Sequence, residues 1–266
     1  MSESRAVTWW CSATGQPWEW AWRAYPGVWL LVLLLGAGGW RVLARKARRE
    51  GREPDKRRLA AYLGGVLAVW LALDWPIGAL GAGYLLSAHT VQYLLLTFLA
   101  APLLLFGLGE PEPRPASSVA RAPGGARRAL LSLAIYDGVL ALTHIPGVVD
   151  GLMPSQLGAA VVDLAWLVAG LALWLPVMHP DPRRRLTPPL RILYLFASTL
   201  FPTAPAAFLT FADYPFYSLY ELAPRVSDIS ARTDQVVAGL LMKLAADPPV
   251  WVAMAVIFFR WQKEDA

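Results

Sequence analysis

Seven stretches of this sequence are apolar and close to the ~20 residues a helix needs to cross a hydrocarbon core. They run at about 26–44, 59–75, 84–108, 128–145, 157–178, 190–211 and 235–260. The linkers between them are short and crowded with proline, glycine and charge, which leaves no room for a soluble domain. Only 16% of the residues are charged, against about 25% in an average soluble protein. The expected fold is therefore all-α: a polytopic bundle of seven transmembrane helices over residues 26–266. A tryptophan-rich segment, residues 1–25, precedes it and is expected to lie on the outer membrane surface, partly irregular. That segment lacks the basic start, apolar core and cleavage site of a signal peptide.

The net charge of +5 invites a nucleic-acid reading. The positions of the cations exclude it. Arg41 stands near the end of the first stretch, and Arg45, Lys46, Arg48, Arg49, Arg52, Lys56, Arg57 and Arg58 follow it. Arg114, Arg121, Arg127 and Arg128 follow the third, and Arg183, Arg184 and Arg185 follow the fifth. Alternate loops are thus basic, the pattern of cytoplasmic loops in a membrane protein. Seven spans then put the N-terminus outside and the C-terminus, with Lys263, Glu264 and Asp265, in the cytoplasm. The single cysteine, Cys11, excludes an intramolecular disulfide; it is expected to be exposed at the outer face as a bystander.

This orientation sorts the polar residues by depth. His89, Gln92 and Tyr93 share one face of the third span, since residues three and four apart are neighbours on a helix. His144, Asp163 and Asp234 fall at a similar outer depth on three other spans, with Met242 two turns beyond Asp234. Ionisable groups inside a bilayer are costly and mark functional sites by default. Imidazole and carboxylate suit Cu(II), and imidazole with thioether suits Cu(I). His89, His144, Asp163, Asp234 and Met242 form the candidate metal set, with copper the candidate metal. The bland alternative is two interhelical hydrogen bonds, His89–Asp163 and His144–Asp234, and spacing alone favours it. Asp137 is expected to find an interhelical partner. Tyr93 and Gln92 are expected to pack with one hydrogen bond each, and His179 to be a loop residue near the arginines.

Several short motifs carry a family likeness. Ser87-x-His89-x-x-Gln92 leads into Ala100-Ala101-Pro102-Leu103-Leu104-Leu105-Phe106-Gly107. His144-x-Pro146, Ala169-Gly170 with Trp174-x-Pro176-Val177, and Leu209-Thr210-Phe211-Ala212 with Pro215-x-Tyr217 and Tyr220 follow in order. Asp234-Gln235-x-x-Ala238-Gly239-x-x-Met242 completes the series. From about Tyr84 onward the chain resembles the CtaG-type cytochrome c oxidase assembly factors. The resemblance implies a multi-pass protein of the bacterial plasma membrane that helps copper reach the oxidase from the outer face, with oxidase subunits as partners. His89, His144, Asp234 and Met242 are the motif positions. The chain departs from the pattern at Tyr93 and Asp163, where the family carries histidine, and at Thr143 and Lys243, where it carries tryptophan.

Three other functions compete. One is a metal-free scaffold for oxidase subunits. Another is a small ion or proton transporter using Asp137 and Asp163, against which stands the expectation that only the seventh span is clearly broken. The third, a retinal protein built on Lys243, has no motif behind it. No His-Glu-x-x-His, Walker loop or Gly-x-Ser-x-Gly occurs, so no enzymatic activity is expected.

Overall fold

A computed structural model of the chain describes residues 8–51, 53–110 and 120–265. Residues 1–7 of the N-terminal segment, Arg52, Arg114 and Ala266 lie outside the described residues. The helices are α1 (Pro26–Arg49), α2 (Lys56–Leu73), α3 (Ile77–Gly83), α4 (Leu86–Leu94), a π-helical turn (Leu95–Ala100) and α5 (Ala101–Leu108). Then come α6 (Gly125–Thr143), α7 (Pro146–Leu152), α8 (Gln156–Met178), α9 (Pro188–Ser198), α10 (Thr203–Phe211), α11 (Ser218–Glu221), α12 (Ala231–Leu244) and α13 (Asp247–Asp265). No strand occurs among the described residues. Among the described residues five helical runs are long and apolar enough to cross a membrane, or up to seven if each of two bent pairs counts as one span.

The basic loops gather at one end of the bundle. Lys46 pairs with Glu110 at 3.4 Å, the Ala122 N–H donates to the Arg183 carbonyl at 2.7 Å, and Arg185 Nη2 donates to the Glu110 carbonyl at 2.6 Å. The opposite end is closed by the N-terminal segment and the 213–230 stretch. There the Ala13 N–H donates to the Met153 carbonyl at 3.0 Å, and the Ser218 N–H donates to Asp150 at 3.2 Å.

Proline sets the breaks. Its missing N–H and its ring interrupt the ladder of a helix, and Pro76 and Pro146 stand where α2 gives way to α3 at 45° and α6 to α7 at 78°. Pro102 acts one helix earlier. The Ala101 N–H reaches back to the Leu96 carbonyl, a π-type bond. That leaves the Thr97 carbonyl, which takes the indole N–H of Trp174 at 2.9 Å. The Pro102 and Trp174 motifs are thus two halves of one backbone repair.

The expectation that only the seventh span is broken is wrong. The sixth parts at Thr199–Pro202, between α9 and α10, and the seventh at Ala245–Ala246, between α12 and α13. Backbone groups freed inside a bilayer need new partners, and hydroxyl side chains supply them. Ser198 donates to the Leu195 carbonyl at 2.7 Å, Thr199 to Phe196 at 2.8 Å and Thr203 to Thr199 at 2.9 Å. Lys243 ties the two breaks together, ion-paired with Asp247 at 2.9 Å and donating to the Thr203 hydroxyl at 2.7 Å.

The N-terminal segment from residue 8 to 25 is irregular, as expected, but it does not merely lie on the surface. Trp10, Cys11 and Tyr25 are buried. Cys11, expected to be exposed, is 1% exposed. Its thiol donates to the Leu73 carbonyl at 3.3 Å, one of the carbonyls that the end of α2 leaves without a helical partner.

Candidate functional site

Glycines bring the helices of the opposite end close together. A Cβ on Gly239 of α12 would stand 2.8 Å from the Ala206 carbonyl of α10. A Cβ on Gly81 of α3 would stand 2.9 Å from the His89 amide nitrogen and would overlap Gln92 Oε1. These approaches press α4, α10 and α12 around a small cavity of ≈ 20 Å³, room for about one water-sized occupant.

His89, Thr90 and Tyr93 of α4 line one side of the cavity, and Thr143 and His144 at the end of α6 line another. Met242 of α12, Trp166 of α8, Tyr217 and the apolar Leu86, Val149 and Leu209 complete the wall. Two imidazoles and one thioether therefore face a common space. His144 Nδ1 lies 2.8 Å from the Leu140 carbonyl, the carbonyl that its position at the C-terminus of α6 leaves within reach. His89 is buried, and its Nδ1 has no hydrogen-bond partner. The ring of Tyr220 lies 6.4 Å from the His89 ring, and the Tyr220 hydroxyl is anchored on the Gly81 carbonyl at 2.7 Å.

The two carboxylates of the candidate set do not line the cavity. Asp234 accepts the Leu86 N–H at 2.6 Å and the Ser87 N–H at 3.3 Å, and also the Ser87 hydroxyl. It caps the N-terminus of α4 from a distant part of the chain, a favourable place for a negative charge. Asp163 accepts the indole N–H of Trp10 at 2.8 Å through Oδ2, and its Oδ1 has no partner. Neither of the two hydrogen bonds, His89–Asp163 or His144–Asp234, forms: Asp234 is taken up by the start of α4, and Asp163 faces Trp10. Among the described residues no group of three or more His, Cys, Asp or Glu is placed to hold a metal ion.

Gln235 laces the end of α10 to the loop beyond it. Its Oε1 accepts the Phe216 N–H at 2.7 Å, and its Nε2 donates to the Tyr214 carbonyl at 3.1 Å. Tyr93 makes one hydrogen bond, to the Tyr136 hydroxyl at 2.7 Å. Asp137 Oδ1 is buried without the expected interhelical partner, and Gln92 Oε1 is buried without a partner. His179 is a half-buried loop residue, and its Nδ1 accepts the Asp181 N–H at 3.0 Å. Burial and the charge of Arg184 hold its imidazole below the usual histidine range. Trp10 is the site-supporting residue that the sequence did not single out. Its only signal was membership in a tryptophan-rich stretch.

Fold and site together define a helical membrane protein with a small cavity lined by two imidazoles and a thioether among apolar and aromatic side chains. The chain matches the family of cytochrome c oxidase caa3 assembly factors over residues 37–264 and belongs to that family. It matches no curated protein and no solved structure. The matched region begins within α1 and takes in every cavity residue, while Trp10 precedes it.

Proposed function

We propose that this chain carries copper to cytochrome c oxidase at the outer face of the bacterial plasma membrane, with His89, His144 and Met242 as transient ligands. The N-terminus is then outside and the basic end of the bundle cytoplasmic, as the loop charges require. The observation that carries the reading is the state of the two imidazoles. A carbonyl oxygen only accepts, so Nδ1 of His144 bears the proton and Nε2 keeps its lone pair. Metal-bound histidines commonly donate their other N–H to a backbone carbonyl in this way. His89 adds a buried nitrogen with no partner, an arrangement that costs stability unless something completes it. Imidazole with thioether suits Cu(I).

Asp234 and Asp163 act on this site as positioning residues. Asp234 fixes the start of α4, which carries His89 one turn on. Asp163 fixes the N-terminal segment over the bundle through Trp10. The role is carriage of cargo to oxidase subunits, with no chemical conversion assigned.

The test is copper stoichiometry on the purified, detergent-solubilised protein, wild type beside His89→Ala/His144→Ala, with oxidase copper content measured in cells. Copper on the wild type alone, with copper-poor oxidase in the mutant, supports carriage. If both folded proteins are copper-free, a metal-free scaffold for oxidase subunits replaces it.

One observation favours a second reading, ion or proton transport. The sixth and seventh spans are broken side by side, and paired broken helices build transporter sites. The Lys243–Asp247 pair and Thr203 satisfy one another there, which leaves copper carriage ahead. Proton flux in proteoliposomes that vanishes in Asp247→Asn would reverse the order.

A further inference from the structure

The basic end of the bundle holds a second, much larger cavity. α13 packs against α9 and barely touches α12, while α5 packs against α8. α13 therefore stands away from the α5–α8 pair, and the cleft between them measures ≈ 760 Å³. Its walls are apolar, with Phe98, Leu105, Trp174, Val252 and Val256 among them. Its mouth is cationic: Arg58, Arg185, Arg191 and Arg260 line it, against one carboxylate, Glu110. Glu264 borders the adjoining hollow beside Arg191 and Arg260.

We propose that this cleft binds one anionic phospholipid, its phosphate against the guanidiniums and an acyl chain along α13. Guanidinium forks match phosphate oxygens, and basic pockets between transmembrane helices take anionic head groups. The arginines are already held in place. Arg58 donates to the Phe106 carbonyl at 2.9 Å and to the Gly109 carbonyl, and stacks over the Phe106 ring at 5.2 Å. Arg185 Nε donates to the His179 carbonyl at 2.8 Å, and Arg191 Nε to the Leu186 carbonyl at 2.7 Å. Side chains fixed before binding lose little entropy on binding. The apolar walls have no use for free phosphate. Arg58 also pairs with Asp55 at 3.7 Å, yet four guanidiniums still line the mouth against Glu110 alone. An apolar helix from a partner would add no anion there, whereas a lipid matches both the charge and the apolar walls.

The experiment is native mass spectrometry of the full chain released from mild detergent, with phosphatidylglycerol and phosphatidylcholine supplied in equal amounts. The wild type is expected to retain one phosphatidylglycerol with at least about a tenfold preference. Arg260→Gln removes an exposed cation at the mouth, and Val256→Trp fills the cleft without changing charge. Each is expected to cut that preference by about tenfold, at an unchanged unfolding temperature and elution volume. Equal retention of the two lipids, or wild-type preference in either variant, overturns the proposal. So does a photo-crosslinker at Val256 that captures a polypeptide rather than lipid in intact membranes.

Discussion

His144 Nδ1 sits 2.8 Å from the carbonyl oxygen of Leu140, one turn back on its own helix. This single bond fixes the tautomer and the ring plane, and it leaves Nε2 as the ring atom that keeps its lone pair. With the buried ring of His89 and the Met242 thioether on the same cavity, three soft or borderline donors converge. Met242→Leu removes the sulfur and keeps the volume, a swap that usually costs under about 1.5 kcal/mol of stability. The expected result is a Cu(I) affinity lower by about tenfold or more, which corresponds to about 1.4 kcal/mol, at a nearly unchanged unfolding temperature. Competition against a chromogenic Cu(I) chelator measures it. Unchanged affinity would remove Met242 from the ligand set.

Asp234 tests the difference between holding metal and holding a helix. Its carboxylate takes the first two N–H groups of α4. Asp234→Ala leaves them buried without acceptors, and the expected loss is about 1–3 kcal/mol. Asp234→Asn keeps an acceptor oxygen and is expected to recover part of the loss. Folded Asp234→Asn protein is expected to bind the wild-type amount of copper. A copper-free but fully stable Asp234→Asn would instead make Asp234 a ligand.

His179 supplies a pH dependence at the basic end. Burial and Arg184 depress its pKa in the folded chain, and the Asp181 N–H points at the Nδ1 lone pair that a proton would occupy. Between the depressed folded value and the ordinary value of about 6.5, the unfolded chain binds the extra proton. Stability from this group is therefore fully present above about 6.5 and falls as the pH drops through that window. His179→Gln keeps an acceptor without titrating. It is expected to flatten the decline in unfolding temperature between pH 8 and pH 5, measured by thermal scans in detergent; an identical slope in both proteins would exclude His179 as the source.

The spans were legible because bilayer thickness writes itself into sequence as runs of apolar residues, and the cation bias separates one end from the other. The charge bias placed His89, His144, Asp163 and Asp234 at one depth; that the two histidines, without the carboxylates, line one cavity was not legible. Nor was the fate of the carboxylates. Asp234 satisfies two amides across 147–148 positions of sequence, and Asp163 an indole 153 positions away. Long-range partners of this kind leave no periodic trace. The break in the sixth span did leave one, in Ser198, Thr199, Pro202 and Thr203, but hydroxyls beside a proline are ordinary in apolar helices until their carbonyl partners are seen. Cys11 and Trp10 were misplaced for a related reason: an irregular segment has no period from which to infer a buried face.

The Trp10–Asp163 bond links a segment outside the family match to the interior of the bundle. Asp163 is 2% exposed, and Trp10 is the donor its carboxylate has found. Trp10→Phe keeps most of the ring packing and leaves a buried carboxylate without that donor, with an expected loss of about 1–3 kcal/mol. Asp163→Val removes the charge and strands the indole N–H, at a smaller cost. Replacing both partners with apolar groups can be nearly neutral, so Trp10→Phe/Asp163→Val is expected to be more stable than Trp10→Phe alone. The coupling energy from the four unfolding curves is the measurement. A strong, non-additive coupling shows that the N-terminal segment is latched to the bundle by this bond. Additive losses would mean that the segment is held by packing of its aromatic rings, and that Asp163 meets its cost by other means.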